Sequence, residues 1–396
     1  MKKFIYLCGM MFMTLNMMAQ IDLNDKNWDT VFFDDFTTSR SWDTTYWHSI
    51  PDSVLRAYSG RHVVHGRETQ IYQYDHCLFD SINGVMRLVS EYDWDSLIPR
   101  HKYHLPYNDT FPNRLDHFDT LYYFSGEIDV ISQKYRYGYF EIRCKLPQHK
   151  GTFPAFWLHS SSKDTLDPYY EEIDIFEHSR NLLHSRPYWP GYIPPPSSDS
   201  ARVFTTGIYH NLTGESANQY EGSYARNFPL VLPPASDLSN WHTYSCEWMP
   251  DHVFWYFDGN LVNNYFDQEH IPCHDLTLKT NYAIDRYSIK NHTDIPLWFG
   301  SDEMVIDYIR VFQLIWECDK DEVITCQTDL NNFNYAVKNS ISITSIVGQP
   351  IIDSGDKVTF RVADAFEITG PFEVNSGAEF TVIMQDCPNN NKKLVK

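Results

Sequence analysis

Short runs of aromatic and β-branched residues extend over almost the whole chain, separated by Gly, Pro, Asn and Asp. The clearest of these runs are residues 31–33, 85–89, 139–146, 242–248 and 253–257. Asp258-Gly259 lies between two apolar runs and is a typical hairpin turn. No long stretch has a helical hydrophobic period. Many short strands with turn signals therefore predict an all-β sandwich or barrel.

The first twenty residues have the composition of an export signal. Lys2 and Lys3 give a basic start, residues 4–18 are apolar, and Ala19 precedes a plausible cleavage point. The apolar stretch is too short, and wrongly flanked, for a good membrane span. Residues 1–20 therefore predict a signal peptide. We expect a bacterial protein without a membrane span that is secreted, periplasmic or on the cell surface.

Charge and cysteine content exclude several classes of partner. The net charge is −20, which argues against binding to nucleic acid or to anionic membranes. No CxxC or Cys/His metal spacing occurs, so we expect no cofactor and no metal centre. A structural calcium ion is compatible with the sequence but is not indicated by it.

The eight cysteines include Cys8 in the export segment, and the seven that remain are an odd number. At least one is therefore free or pairs with another chain. Alternation with apolar neighbours predicts that Cys144 and Cys246 are small buried side chains. An oxidising compartment permits a bridge between Cys318 and Cys326, which the sequence alone does not establish.

The composition changes after Gln313. Residues 317–338 are polar and contain two cysteines, and new short strands begin at Ile341. We place a domain boundary near residue 315, with residues 21–314 as the main domain and 315–396 as a linker and a small C-terminal β module. We expect this module to be separable, so a chain ending at Leu314 should keep its activity on a soluble oligosaccharide.

A string of acids at residues 172–177, EIDIFE, is the candidate for chemistry. On a strand, Glu172 and Asp174 share one face. Glu177 would point away on a regular strand, but a β-bulge at Ile175-Phe176 would return it to the same side. Three carboxylates on one face favour a protonated acid beside an ionised one, which is the combination that retaining glycoside hydrolysis requires.

Taken alone, this string is also compatible with a solvent-facing acidic edge or a calcium site. A second string, residues 127–132, begins in the same way, but Ser132 stands where the last acid would be. We interpret that second string as an ordinary strand.

The context of the first string resembles glycoside hydrolase family 16, the group containing laminarinases, agarases and carrageenases. The similarity covers roughly residues 28–313. The matching motifs are residues 137–143, 145–147, 151–158, 172–177, 241–244, 247–248, 255–259 and 305–311.

The resemblance implies an all-β, concanavalin-like jelly roll of two sheets with an open concave cleft. It implies Glu172 as nucleophile, Glu177 as general acid/base and Asp174 as the residue that tunes the nucleophile. It further implies that Trp157 lies near the bond that is cut. The bulged motif is similar to that of the laminarinases and agarases.

Two further positions follow from the same resemblance. His210 resembles the cleft histidine of the family, although a lone histidine is more often structural. Phe153 is expected at a substrate-binding position where the family usually has Trp, and this departure weakens the transfer of glucan-stacking subsites. The tail resembles C-terminal segments common in secreted Bacteroidetes proteins.

The sequence therefore predicts an endo-acting, retaining hydrolase of a β-linked polysaccharide or oligosaccharide, with a β-1,3-glucan as the first candidate. A β-galactan, agar-like or from host glycan chains, is the alternative substrate. A non-catalytic carbohydrate-binding protein is the alternative class, and the presence of all three acids argues against it. We expect a monomer.

Overall fold

The computed structural model describes residues 26–37, 47–48, 70–92, 98–99, 120–121, 123–130, 133–149, 151–160, 170–178, 203–211, 224–231, 237–284, 300–345 and 348–388. The expected signal peptide, residues 1–20, lies outside these ranges. No helix in the described residues is long and apolar enough to cross a membrane.

The described elements are almost all strands, as the sequence predicts. The main domain contains β1 (Trp28–Asp34), β2 (Trp47–His48), β3 (Gln70–Tyr72), β4 (Cys77–Asp80), β5 (Val85–Tyr92), β6 (Ile98–Pro99), β7 (Thr120–Leu121), β8 (Tyr123–Ser125), β9 (Glu127–Val130), β10 (Gly138–Lys145), β11 (Thr152–His159), β12 (Tyr170–Glu177), β13 (Val203–Asn211), β14 (Tyr224–Val231), β15 (His242–Trp248), β16 (Val253–Phe257), β17 (Asn260–Tyr265), β18 (Thr277–Ile284) and β19 (Ser301–Leu314). A 3₁₀ turn, Tyr74–His76, precedes β4.

The C-terminal part contains β20 (Trp316–Ile324), α1 (Gln327–Asn331), β21 (Val337–Ile343), β22 (Ile351–Ile352), β23 (Lys357–Ile368), β24 (Glu373–Val374) and β25 (Glu379–Met384). We call residues 316–384 the tail module.

Two large sheets form a sandwich. The ten-stranded sheet, here the outer sheet, has the order β17-β16-β15-β10-β19-β5-β8-β3, with β1 on β19 and β4 on β5. The seven-stranded sheet, here the site sheet, has the order β14-β13-β12-β11-β18-β9-β2. Their facing side chains form one apolar core, to which Trp248 and Val311 contribute from the outer sheet and Phe156 and Ile173 from the site sheet. This is the expected two-sheet jelly roll.

Local details also agree with the sequence. β16 and β17 form the expected hairpin, and Asp258 and Gly259 in its turn have φ of 46° and 75°, as a tight two-residue turn requires. Cys144 and Cys246 are both fully buried, as their alternation predicts.

The tail module has a different architecture. β20, β21, β23 and β25 pair in parallel, and β22 pairs in parallel with β24 in a second small sheet. Its own core contains Ile324, Ile341 and Phe360. Two parallel neighbouring strands cannot be joined by a tight hairpin, so a longer connection links them.

A third apolar cluster joins the tail module to the jelly roll. Trp28, Phe254 and Leu314 of the main domain pack with Val337 of the tail. The Asn27 amide also donates to two carbonyls of the tail region, those of Tyr335 and Thr359, at 3.1 Å each. The boundary near residue 315 stays a prediction, but the two parts are packed against each other.

The disulfide interpretation requires a correction. Cys318 bonds to Cys387, 69 residues away, and Cys326 is free. Cys326 is the N-cap residue of α1, whereas the bond to Cys387 ties the first strand of the tail module to the segment after its last strand. Sequence proximity suggested the wrong partner, because the parallel arrangement brings distant segments together.

Candidate active site

Strand β12 carries an extra residue at the position where the sequence predicts a bulge. Against β11, Asp174 lies opposite Trp157 and Phe176 lies opposite Phe156, so Ile175 is the additional residue. The register with β13 is displaced over the same interval. An inserted residue of this kind bends the strand and changes which face the following side chain takes.

The bulge sets the direction of the acidic side chains. Ile175 and Phe176 are consecutive, yet both belong to the buried core. Glu177 therefore returns to the face of Glu172 and Asp174, which we call the site face. Asp174 is only 2% exposed, whereas Glu172 and Glu177 are half-buried. The three predicted acids thus share one face of one strand.

A tryptophan from the other sheet holds the bulge. Trp255, fully buried on β16, donates its indole N–H to the main-chain carbonyl of Asp174 at 2.9 Å. The carbonyl that accepts this bond belongs to the residue immediately before the extra one. This hydrogen bond crosses the core from the outer sheet, so it fixes the position of the bulge relative to that sheet.

Neighbouring strands supply polar partners for two of the acids. On β11, Nε2 of His159 lies 3.9 Å from Oε2 of Glu172. On β13, the Thr205 hydroxyl lies 3.3 Å from Oε2 of Glu177. These contacts orient the carboxylates and give Glu177 a hydroxyl donor.

Trp157 lies on the site face, because it pairs directly with Asp174 and paired residues project to the same side. Its indole N–H donates to Oδ1 of Asn281 at 2.7 Å, and the Asn281 amide donates to the Tyr72 hydroxyl at 2.9 Å. Trp157 is 8% exposed, so its ring is fixed at the floor of the site. Phe153 is half-buried on the same strand, four residues earlier.

His210 is at the end of β13, opposite Glu171 rather than Glu172. Its side chain lies outside the described residues, so its place in the cleft stays a prediction.

The second acidic string forms β9, an ordinary strand as predicted, and its acids pair with a lysine of the neighbouring strand β18. Lys279 on β18 is 2.6 Å from Oδ2 of Asp129 and 3.8 Å from Oε1 of Glu127. Burial alone would lower the pKa of Lys279. The carboxylates of Asp129 and Glu127 have the larger, opposite effect, so the pKa is raised and the side chain remains a cation. Lys279 also lies 5.7 Å from the centre of the Trp157 ring.

Sequence reasoning missed four residues of this arrangement: His159, Thr205, Trp255 and Asn281. Alternation from Trp157 would have indicated His159, which is two residues further along the same strand. Trp255 lies in a matching motif, but nothing in that motif indicates its bond to the bulge. No local signal indicates Thr205 or Asn281, because their roles depend on pairing with distant strands.

Part of the chain is similar to known proteins. Residues 102–282 match the model of glycosyl hydrolases family 16. A "Beta-glucanase" of Rhodothermus marinus is 26% identical over 193 residues, which cover 45% of this chain and 58% of the relative. The "Endo-1,3-1,4-beta-glycanase ExsH" of Rhizobium meliloti (strain 1021) is 28% identical over 194 residues, covering 48% of this chain and 34% of the relative.

The match therefore spans from about a third to somewhat more than half of the length of these two relatives. A solved structure from work described as "Prominent members of the human gut microbiota express endo-acting O-glycanases to initiate mucin breakdown" has a TM-score of 0.51 at 19% identity. It covers 75% of this chain and 93% of the other chain. The structural match supports the jelly-roll fold. The family match includes the whole of β12 with its three acids, so residues 102–282 of this chain are similar to glycosyl hydrolases family 16.

Proposed function

We propose that this protein is an exported, retaining endo-glycoside hydrolase that cuts a β-linked polysaccharide at the site face of β12. The observation that carries the proposal is the bulge, which brings Glu172, Asp174 and Glu177 to one face. A retaining mechanism requires two carboxyl groups about 5–5.5 Å apart, one ionised and one protonated. Three acids on one face of a bulged strand support such a pair together with a neighbour that tunes it.

The roles follow from the two-step chemistry. The Glu172 carboxylate attacks the anomeric carbon, the glycosidic C–O bond breaks, and protonated Glu177 gives its proton to the departing oxygen. Water then attacks the glycosyl-enzyme, Glu177 accepts its proton, and Glu172 is released. Asp174 lies between these two glutamates in sequence and is largely buried. It tunes the nucleophile. The Thr205 hydroxyl orients Glu177 through both steps.

The first candidate substrate is a β-1,3-glucan or a related β-glucan. The names of the two curated relatives support a β-glucan, and Trp157 gives the floor of the site an aromatic ring. Phe153 is the observation that favours the alternative, a β-galactan, because it stands where the family motif usually has Trp. Reducing-sugar release from laminarin, lichenan, agarose, porphyran, carrageenan and poly-N-acetyllactosamine decides between them. Release from none of these polymers would contradict the proposal.

The stereochemistry of the first product tests the mechanism. Because Glu172 and Glu177 share one face, we expect double displacement, and the new reducing end should have the β configuration. Proton NMR of a fresh digest, recorded before mutarotation, shows the first anomer directly. An α-anomer appearing first would mean inversion and would exclude Glu172 as the nucleophile.

The bond from Trp255 to the bulge gives a second test. Trp255→Phe removes the N–H donor to the Asp174 carbonyl, so the acids should lose their alignment. We expect kcat to fall about tenfold, which corresponds to ~1.4 kcal/mol in the barrier, with a much smaller change in KM.

Trp248→Phe is the matched control for this variant. Trp248 is also fully buried in the outer sheet and donates its indole N–H at 2.9 Å, but to the carbonyl of Pro272. It should lose stability without the fall in kcat. Equal kcat values for the two variants would show that the bond to Asp174 does not position the acids.

A further inference from the structure

Three potential metal ligands of different chemistry meet on the side of β12 that faces away from the site. Glu171 precedes Glu172, so its side chain takes the opposite face, and it is fully buried. Its Oε1 lies 3.0 Å from Nδ1 of His274 and 3.9 Å from Sγ of Cys273, and these last two atoms are 3.7 Å apart. Within the described part of the chain, this is the group of His, Cys and acidic side chains close enough to share an ion.

The segment that carries Cys273 and His274 is fixed at both ends. The Trp248 indole donates to the Pro272 carbonyl at 2.9 Å. Tyr135 and Leu276 exchange two main-chain hydrogen bonds of 2.8 Å. The two ligand positions are therefore held in place by the fold.

The Glu171 carboxylate is fixed in the same way. It accepts the main-chain N–H of Cys273 at 3.2 Å and that of His274 at 3.0 Å. These contacts hold the carboxylate with Oε1 directed toward Nδ1 of His274 and Sγ of Cys273.

The spacing suits a tetrahedral zinc ion. Zinc bonds of about 2.3 Å to sulfur and 2.0–2.2 Å to nitrogen or oxygen place tetrahedral ligands roughly 3.3–3.6 Å from one another. The three observed separations are within a few tenths of an ångström of that range. The His274 side chain is 31% exposed, which gives an ion a path from solvent.

We propose that Glu171, Cys273 and His274 form a binding site for a divalent transition metal, with Zn²⁺ as the best match. Thiolate, imidazole and carboxylate are the ligands that zinc prefers in proteins. The ion links the start of β12 to the segment before β18. It lies on the opposite face from Glu172, so its role is structural.

Without a metal, the same residues form an ion pair. Contacts with Cys273 and Glu171 raise the pKa of His274 to about 10, so a proton competes with the metal for Nδ1. Zinc binding at Nδ1 releases that proton. The ion pair and the metal site are therefore alternative states of one cluster, and direct binding measurements separate them.

The test uses the full chain, stripped of metal with a chelator, and requires no enzymatic activity. Titration with Co²⁺ should produce the near-ultraviolet absorption of a cobalt–thiolate bond, and Zn²⁺ should displace the cobalt at one equivalent per chain. Cys273→Ser should abolish the absorption. His274→Ala should weaken zinc binding by more than the ~10–100-fold that changes around a metal's direct ligands cost.

Matched controls exist for both variants. Cys326→Ser changes another free, half-buried thiol, and His270→Ala changes a nearby histidine that pairs with Asp267. Both should bind zinc as the parent does. No binding to the parent, or binding that survives both Cys273→Ser and His274→Ala, would overturn the site. The result is independent of the proposed function, because no substrate is involved.

Discussion

Glu172→Gln and Glu177→Gln are each expected to lower kcat by roughly 10²–10⁴-fold without unfolding the protein. Glutamine keeps the shape of the side chain but can neither attack the anomeric carbon nor exchange a proton. Asp174, which lies between the two glutamates in sequence, cannot replace either of them because it is largely buried. The measurement is the initial rate on the polymer that the parent hydrolyses best, with the Tm recorded for each variant.

Two acids on other strands serve as controls. Glu303→Gln breaks an ion pair with Arg87 on the outer sheet and should leave kcat unchanged. Glu127→Gln should keep most of the activity, because β9 is three strands from β12, about 14 Å at ordinary strand spacing. Substantial activity in Glu172→Gln or Glu177→Gln, or an inactive Glu127→Gln, would contradict the assignment of the site to β12.

Ending the chain at Leu314 is expected to destabilise the jelly roll by several kcal/mol, although the sequence suggests a separable module. The cut removes Val337 and uncovers Trp28 and Phe254, which pack with it. Exposure of each large apolar side chain costs about 1.5–3 kcal/mol, a large fraction of the 5–15 kcal/mol that stabilises a typical domain. The measurements are the Tm and the soluble yield of the shortened chain.

Two full-length variants test the contact between the tail module and the jelly roll directly. Val337→Asp places a charge in the shared cluster and should lower the Tm, whereas Val374→Asp changes a valine of the tail module that is 40% exposed and should have little effect. A shortened chain with the Tm of the parent would show that the tail module is separable after all.

The catalytic candidates were accessible from sequence because they are close together in it. The spacing of Glu172, Asp174 and Glu177 is compatible with one shared face only if an extra residue intervenes, and the observed register supplies it at Ile175. Trp157 was found through the motif that it belongs to. These inferences needed only the two-residue alternation of a strand and one local irregularity.

The partners of these residues were not accessible, because they come from strands far away in the chain. Thr205 lies 28 residues from Glu177, and Trp255 lies 81 residues from Asp174. The bond between Cys318 and Cys387 illustrates the same limit, since the sequence offered Cys326 as a nearer partner.

By itself, the sequence determined the all-β class, the hairpin at Asp258-Gly259 and the position of the acidic strand, because each depends on local backbone preference and side-chain alternation. The tertiary structure decided which strands are neighbours. It thereby placed Trp255 under the bulge, Lys279 between the acids of β9, and Glu171 beside Cys273 and His274. Strand order and register arise from the packing of the two sheets around one core, and that packing is a property of the whole chain rather than of any segment.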